Sequence, residues 1–239
     1  MSRTLKALSA LLTYPTGELQ QAAVEIGEVL AADTLVPPRI RAELKKLTDD
    51  IAAGDLYDLQ ERYVLLFDRT RSLSLHLFEH VHGESRDRGQ AMIDLKAQYE
   101  QAGLLMSAAE LPDFLPLFLE YLATRPPKEA CATLGQPAHI LAALAERLRK
   151  RQSPYEAVFR ALVALSAAKP KDEEVSALLQ LPDPDADDLA ALDAAWEDEP
   201  VSFGPGSGDG CKDGLIARVR GGLRPAPDMP APKPLTPRH

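Results

Sequence analysis

The sequence predicts an all-α protein folded as a single helical bundle. Leu and Ala supply most of its apolar side chains and both favour helices, while the β-branched runs that favour strands are scarce. Apolar residues make up 45% of the 239 residues, which is enough for a substantial core without disulfide bonds or structural metals. No β-hairpin signal or internal repeat interrupts the helical pattern.

Four helices are predicted in the first part of the chain. The first carries a helical stripe of leucines and stops before Pro15. The second runs from Thr16 to about Ala32. The third starts at Pro37-Pro38 and stops at Gly54, and the fourth covers Leu56 to Phe67.

A short apolar run from Leu73 to Phe78 separates these helices from a longer one. The longer helix is predicted from about Ser85 to Ala102, with Gly103 as its C-cap. Its inward face is expected to carry Met92, Leu95 and Tyr99. The apolar run and the long helix therefore meet near His82-Gly83.

Three further helix starts are marked by prolines. Pro112 opens a helix that Pro126-Pro127 close, and Pro137 lies near the start of the next. Ser153-Pro154-Tyr155-Glu156 is typical of a capping box with Pro at the first helical position, which predicts a further helix at that point.

The composition changes after Pro170. Residues 172–199 hold eleven acidic side chains and no Lys or Arg, whereas Gly and Pro dominate from Val201 onward. These shifts predict a helical domain over 1–170, an acidic segment over 171–200 and a flexible, disordered tail over 201–239. A short helix is expected within the acidic segment, from about Asp187 to Trp196.

The charge and the cysteines limit the classes of partner and compartment. A net charge of −9 argues against nucleic acid and against an anionic membrane surface, and suits a basic peptide. Cys131 and Cys211 stand alone, which indicates a reducing compartment. No stretch approaches the roughly 20 apolar residues needed to cross a bilayer. We therefore expect a cytoplasmic protein without a cofactor of its own.

The pattern His76-Leu77-Phe78-Glu79-His80 matches the H-x-x-E-H arrangement of zinc hydrolases, in which two imidazoles share one helix face. His82 is a further potential ligand. A third ligand from a distant helix would still be needed, and nothing in the sequence marks one. In the alternative interpretation the histidines lie near a helix C-terminus, where the macrodipole favours them, and only pack or cap there.

The run from Gly83 to Gln90 is dense in charge for a link between two apolar segments. It is either a solvated helix start with weakly paired charges or a rim of fixed donors and acceptors beside a groove. Composition alone leaves both interpretations open.

Several blocks resemble one known family. The stretches from Tyr63 to Arg69 and from Phe78 to Met92 closely resemble the NarJ family, the nitrate reductase molybdenum cofactor assembly chaperones, also called the delta subunit. The stretches from Glu110 to Pro116 and from Leu119 to Leu122 match the family's next block. The resemblance covers residues 5–203 and is most specific between Tyr63 and Met92.

This resemblance implies a bundle of the molybdoenzyme-chaperone type that is not an enzyme. It implies a partner, the basic N-terminal helix of the catalytic (alpha) subunit of a respiratory nitrate reductase. The chaperone would hold the apoenzyme in the cytoplasm until the molybdenum cofactor, with an iron–sulfur cluster, is inserted. It would then leave and be absent from the mature complex. No metal is attributed to the histidine cluster in this family.

A mechanism of client binding follows as a hypothesis. An amphipathic helix of the client would lay its apolar face in a groove between bundle helices, while Lys and Arg of the client meet carboxylates at the rim. The apolar members of the predicted site can equally be core residues.

Titration of His80 and His82 near neutral pH is expected to tune release of the client. The candidate client-binding residues are Tyr63, Leu66, Phe67, Leu75, Glu79, His80, His82, Glu84, Arg86, Asp87, Arg88 and Met92.

Three other functions compete with this interpretation. The chain could be a permanent structural subunit of the reductase, or a zinc hydrolase that uses His76, Glu79 and His80. It could also be the chaperone of a related molybdoenzyme, such as a sulfoxide or amine-oxide reductase. The block from Phe78 to Met92 argues against the last of these.

Overall fold

The structure, a computed structural model, describes residues 1–81, 86–106 and 110–183, apart from the side chains of residues 86 and 87. Within these ranges the chain is all-α and forms the predicted helical bundle. The helices are α1 (Ser2–Leu11), α2 (Gly17–Ala32), α3 (Pro38–Ala53), α4 (Leu56–Tyr63), α5 (Arg86–Gln101), α6 (Leu115–Thr124), α7 (Pro127–Leu134), α8 (Ala138–Lys150), α9 (Glu156–Leu165) and α10 (Asp172–Leu179). His82, Glu84, the predicted helix at 187–196 and the predicted tail at 201–239 lie outside the described residues.

Helix α1 is buried in the bundle along its leucine stripe. Leu5, Leu8, Leu11 and Leu12 are fully buried, because helical spacing places them on one face. The helix packs against α2 and α6, while α9 packs against α8 and α3. The core is therefore one continuous cluster shared by helices from both halves of the described chain.

The predicted starts of α2 and α3 are confirmed by their caps. Thr16 accepts a hydrogen bond from the amide of Leu19 and caps α2, as expected for a threonine before the first turn. Pro38 occupies the first turn of α3. The two helices approach closely at Gly27, where an added Cβ would lie 2.7 Å from Oγ1 of Thr48. A side chain at this position would push the helices apart.

Several boundaries differ from the predictions. The predicted fourth helix is α-helical only to Tyr63 and continues as a π-helical turn, Val64–Asp68. The amide of Arg69 donates a hydrogen bond to the carbonyl of Val64 and closes this turn. The helix predicted to open at Pro112 begins at Leu115, because the residues before it pair with another segment. The capping-box serine, Ser153, lies in a turn that precedes α9. Its hydroxyl accepts the amide of Tyr155, and its carbonyl accepts the amide of Glu156.

Two short helices were not predicted from the sequence. Helix α7 lies directly after Pro126, where the proline pair was interpreted as an end only. Helix α10 lies in the acidic segment and packs against α8 without a single fully buried residue. Its attachment therefore depends on partly buried side chains and on polar contacts. No helix in the described ranges is both long and apolar enough to cross a membrane.

Candidate functional site

The connecting segment, Thr70–Val81, has no α-helical backbone ladder. It consists of two short 3₁₀ turns, Arg71–Leu73 and Leu77–His80. It pairs with the chain just before α6, where the amide of Leu77 donates to the carbonyl of Asp113 and the amide of Leu115 donates to that of Leu75. These bonds form an isolated antiparallel bridge between His76 and Phe114. The segment is therefore fixed by tertiary contacts rather than by its own helix.

Asp113 is the main anchor of the connecting segment. Its side chain is fully buried, and one carboxylate oxygen lies 3.1 Å from Nδ1 of His76. The other oxygen accepts the amide of Phe78 at 3.1 Å. A buried carboxylate needs such partners. The hydrogen bond to Asp113 raises the pKa of His76, against the effect of partial burial.

His80 is bound in a different way within the same segment. Its Nε2 lies 2.9 Å from the carbonyl oxygen of Ser74, and because a carbonyl only accepts, this nitrogen donates. Burial lowers the pKa of His80, and the nearby charge of Arg147 acts in the same direction. The side chain therefore closes the loop from Ser74 to His80 as a neutral donor.

These contacts do not support the zinc-site interpretation of the histidine pattern. His76 and His80 do not share an α-helix face, because the residues between them form a 3₁₀ turn, and each ring is already bonded to another partner. No group of three or more His, Cys, Asp or Glu in the described ranges is placed to hold a metal ion. His82 lies outside those ranges.

An open groove of about 400 Å³, called here the α5–α8 groove, lies beside the anchored segment. Its buried floor is formed by Leu77, Leu95, Phe118 and Ile140. Phe78 and Val81 also line it, and Val81 is 52% exposed although it is apolar. The remaining lining residues are Ala91, Asp94, Gln98, Thr133, Gln136, Pro137 and His139.

The charge of the α5–α8 groove is negative or neutral. No Lys or Arg occurs among its described lining residues, whereas Asp94 lies in the wall. Asp94 accepts a hydrogen bond only from the neutral amide of Gln90 within the described part of the chain. Glu174 of α10 lies 3.8 Å from the ring of His139 at the groove wall. Glu174 is also paired with Lys171 at 2.8 Å, so Asp94 is the carboxylate of the wall without an ion pair in the described residues. An apolar floor with carboxylates at the edge suits a ligand that is apolar on one side and cationic on the other.

The structure separates the residues predicted to bind a client. Tyr63, Phe67 and Leu75 are buried in the core, where the rings of Tyr63, Phe67, Tyr155 and Phe159 pack together. They would meet a client only if the core opened. Leu66 instead lines a different cleft of about 620 Å³ between α4 and the α8–α9 turn.

Of the polar members of the predicted set whose side chains the structure describes, Glu79 and His80 lie in the connecting segment and Arg88 lies on α5. Glu79 and Arg88 form an ion pair at 3.3 Å that links the connecting segment to α5, and His80 closes its loop. Met92 is partly exposed on α5 and is not among the groove-lining residues. Arg86 and Asp87 belong to the first turn of α5, and their side chains are outside the description.

Some residues that shape the groove were missed by the sequence analysis. Asp113 lies in the stretch from Glu110 to Pro116 that resembles the family, but only its tertiary partners show its role. Val81 and Ile140 were treated as ordinary apolar positions, and His139 carried no signal. Apolar residues in and around α5, such as Ile93 and Leu105, are exposed, and their sequence spacing does not show it.

Comparison with known proteins places these features in a family. Residues 33–161 match the family model of the nitrate reductase delta subunit. The chain is 46% identical over 213 residues to the nitrate reductase molybdenum cofactor assembly chaperone NarJ of Escherichia coli K12, covering 89% of each protein. It is 40% identical to the probable chaperone NarW of the same strain over 83% of each. It is 33% identical to a probable NarJ of Bacillus subtilis 168 over 67% of this chain and 86% of that protein.

Proposed function

The chain belongs to the nitrate reductase delta subunit family and is an assembly chaperone of that family, and we propose that it holds the N-terminal segment of the reductase catalytic subunit in the α5–α8 groove. The client segment is a basic amphipathic helix in this proposal. The observation that carries it is the combination of an apolar, partly exposed wall at Phe78 and Val81 with carboxylates and without lining Lys or Arg in the described residues.

The shape of the groove supports a helix as ligand. A volume of about 400 Å³ open to solvent accommodates the apolar face of a short helix rather than a whole domain. The floor side chains come from four different elements, the connecting segment, α5, α6 and α8. Since these elements are far apart in sequence, only the folded chaperone presents the surface.

The sequence of events that the family resemblance implies would begin with such binding. The chaperone retains the apoenzyme in the cytoplasm until the molybdenum cofactor and an iron–sulfur cluster are inserted, and then dissociates, so that it is absent from the mature complex. Release requires reversible binding, and carboxylates at a groove rim affect association rate and salt dependence more than final affinity. Binding and release are the whole task, so we infer that the chain catalyses no reaction.

Calorimetric titration with the client peptide, a synthetic N-terminal peptide of the cognate catalytic subunit, tests the proposal. We expect saturable one-to-one binding. Val81→Asp should raise Kd at least ~10-fold, since a charge on the wall opposes apolar docking. The matched control is Val24→Asp on α2, where Val24 is 59% exposed and is not among the lining residues of the groove. Equal effects of the two substitutions would remove the α5–α8 groove as the binding surface.

A charge reversal probes the rim independently. Asp94→Lys should weaken binding by about threefold to tenfold at low salt and by less at high salt, because exposed charges are screened. Glu28→Lys makes the same change of charge on the exposed face of α2 and should leave Kd within about twofold. A Kd that changes neither with Asp94→Lys nor with salt would contradict electrostatic recognition at this rim.

A further inference from the structure

Arg147 on α8 is a buried cation that no carboxylate in the described ranges directly neutralises. The residue is 2% exposed. One terminal nitrogen, Nη1, donates to the carbonyl of Ser72 at 2.7 Å, and the other, Nη2, donates to the carbonyl of Leu178 at 2.7 Å. Its Nε has no acceptor among the described residues. Burial of a guanidinium on neutral carbonyls is costly, so bulk packing alone does not account for an arginine here.

The two carbonyls belong to two elements that are separate in sequence and that Arg147 bonds at the same time. Ser72 lies in the 3₁₀ turn at the start of the connecting segment, and Leu178 lies in the last turn of α10, which has no fully buried residue. The C-terminal turn of a helix carries partial negative charge, which a guanidinium stabilises. The carbonyl of Leu178 accepts the amide of Leu181 at 3.2 Å in addition to the guanidinium of Arg147. A second contact follows α10, where Asp183 accepts from Arg151 at 2.7 and 2.9 Å and from the hydroxyl of Ser72.

Both elements border the α5–α8 groove. The connecting segment supplies Leu77 and Phe78 to its lining, and α10 places Glu174 beside the lining residue His139. Because the connecting segment lacks a helical ladder, its shape depends on its buried leucines, on its backbone bonds to the chain before α6 and on a few side-chain bonds. Arg147 fixes its beginning at Ser72, and Asp113 fixes its end at Phe78.

We propose that Arg147 is a positioning residue for client binding. It bonds the connecting segment and α10 at the same time and so fixes the position of these two borders of the α5–α8 groove relative to each other. This inference rests on the proposed function of that groove. Arg147 does not line the groove and acts through Ser72 and Leu178. Two carbonyls bound at once need the forked guanidinium, which a lysine cannot replace.

Two substitutions and one control test the proposal by calorimetry with the client peptide, at a temperature where each variant is folded. Arg147→Met should raise Kd about tenfold and Arg147→Lys about threefold, because lysine keeps the charge but reaches one carbonyl. Arg149→Met removes the same group from the exposed face of α8, where Arg149 pairs only with Glu146 in the described residues. It should leave Kd within about twofold.

A purely structural role gives a different result. Arg147 variants would then lower the unfolding midpoint while folded protein bound the peptide with wild-type Kd, and that outcome overturns the proposal. If Arg147→Met does not fold, Arg147→Lys decides. If the wild-type chain itself does not bind the peptide, the proposed function of the groove fails instead, so the two failures are distinguishable.

Hydrogen exchange of the wild-type chain provides a test that needs no variant. Saturation with the client peptide should slow exchange at the groove and also at amides Val175 to Gln180, which do not line it. The amides of α2 should be unchanged and serve as the internal control. Protection confined to the groove-lining residues would contradict a link through Arg147.

Discussion

The bundle core around α1 and the region from Thr70 to Phe114, called here the α5 region, are stabilised in different ways. In the core, leucines on regular helices are fully buried. In the described parts of the α5 region, Val81, Ile93, Leu105 and Leu111 remain exposed, and single polar groups fix the backbone. The difference teaches that the α5 region combines core residues, such as Leu75 and Tyr99, with an exposed apolar wall, and this wall is the part proposed to meet a client.

Helix α5 shows this division within one element. Its C-terminal half is attached by the buried residues Leu95 and Tyr99, and the hydroxyl of Tyr99 donates to the carbonyl of Pro112 at 2.8 Å. Its N-terminal half has an ion pair between Arg88 and Glu79, and an added Cβ at Gly89 would meet no atom within 4 Å. The N-terminal half of α5 is therefore packed more loosely than its C-terminal half.

The largest expected effect separates the two regions by stability. Leu119→Ala in α6 removes a fully buried side chain and should lower the free energy of unfolding by about 2–5 kcal/mol. Val81→Ala in the groove should change it by less than about 0.5 kcal/mol. Urea unfolding followed by circular dichroism measures both. Comparable losses would mean that the groove wall is part of the core.

Asp113 provides the next contrast, because it is a buried polar anchor of the α5 region. Asp113→Leu leaves the ring of His76 and the amide of Phe78 without their acceptor and should cost about 1–3 kcal/mol in unfolding free energy. It should also weaken client-peptide binding, since Phe78 lines the groove. Asp113→Asn keeps one carbonyl acceptor and should be milder in both measurements. An unchanged Kd for a folded Asp113→Leu chain would show that this anchor does not shape the groove.

The two histidines of the α5 region should give opposite pH dependences of stability. The pKa of His76 is raised by its bond to Asp113, with Glu79 adding to and Arg88 opposing this shift. Its stabilising contribution is therefore full below the unfolded pKa of ~6.5 and is lost as pH rises through the folded pKa. The pKa of His80 is lowered by burial and by Arg147, so its contribution is present above ~6.5 and is lost as pH falls through the folded pKa.

Single substitutions separate these two contributions. His76→Asn leaves His80 and should make the chain less stable as the pH falls from about 8 to 5. His80→Asn leaves His76 and should make it more stable over the same interval. Urea midpoints across the pH series measure both, and slopes of the same sign in the two variants would contradict the assigned environments. The separate prediction that histidine titration tunes client release requires peptide affinities between pH 6 and 8, where a flat profile removes it.

The smallest effects concern two left-handed residues, one in the turn between α8 and α9 and one after α5. Gln152 ends α8 with φ of 53° and Gly103 follows α5 with φ of 79°. Gln152→Gly should raise the free energy of unfolding by up to about 1 kcal/mol, because a side chain is strained in this conformation. Gly103→Ala should lower it by about 1 kcal/mol for the same reason. Thermal unfolding of the two variants checks whether the left-handed conformation costs the same free energy at Gln152 and at Gly103.

The sequence was informative where helical periodicity and caps dominate. The leucine stripe of α1, the threonine cap of α2 and the proline start of α3 follow from local chemistry, and the structure confirms them. The π-helical turn after Tyr63 and helices α7 and α10 were not predicted. Their backbone depends on long-range packing against α8 and α9, which periodicity does not report.

The candidate site was harder to predict for a related reason. The charged run and the histidine pattern lie next to the residues that line the α5–α8 groove, but other apolar residues of the predicted site proved to be core, as for Tyr63 and Phe67. The groove depends on bonds between distant positions, Asp113 to Phe78 and Arg147 to Ser72. A single sequence contains those residues without showing that they meet.

Site-specific photo-crosslinking to the apo catalytic subunit tests the central claim most directly. A photoreactive residue placed at Val81, in the groove, is expected to crosslink to the N-terminal segment of the subunit, whereas one placed at the similarly exposed Val24 should not. Mass spectrometry of the crosslinked peptides identifies the partner residues. Crosslinks from Val24 to that segment, or none from Val81 while the complex forms, would contradict client binding in the α5–α8 groove.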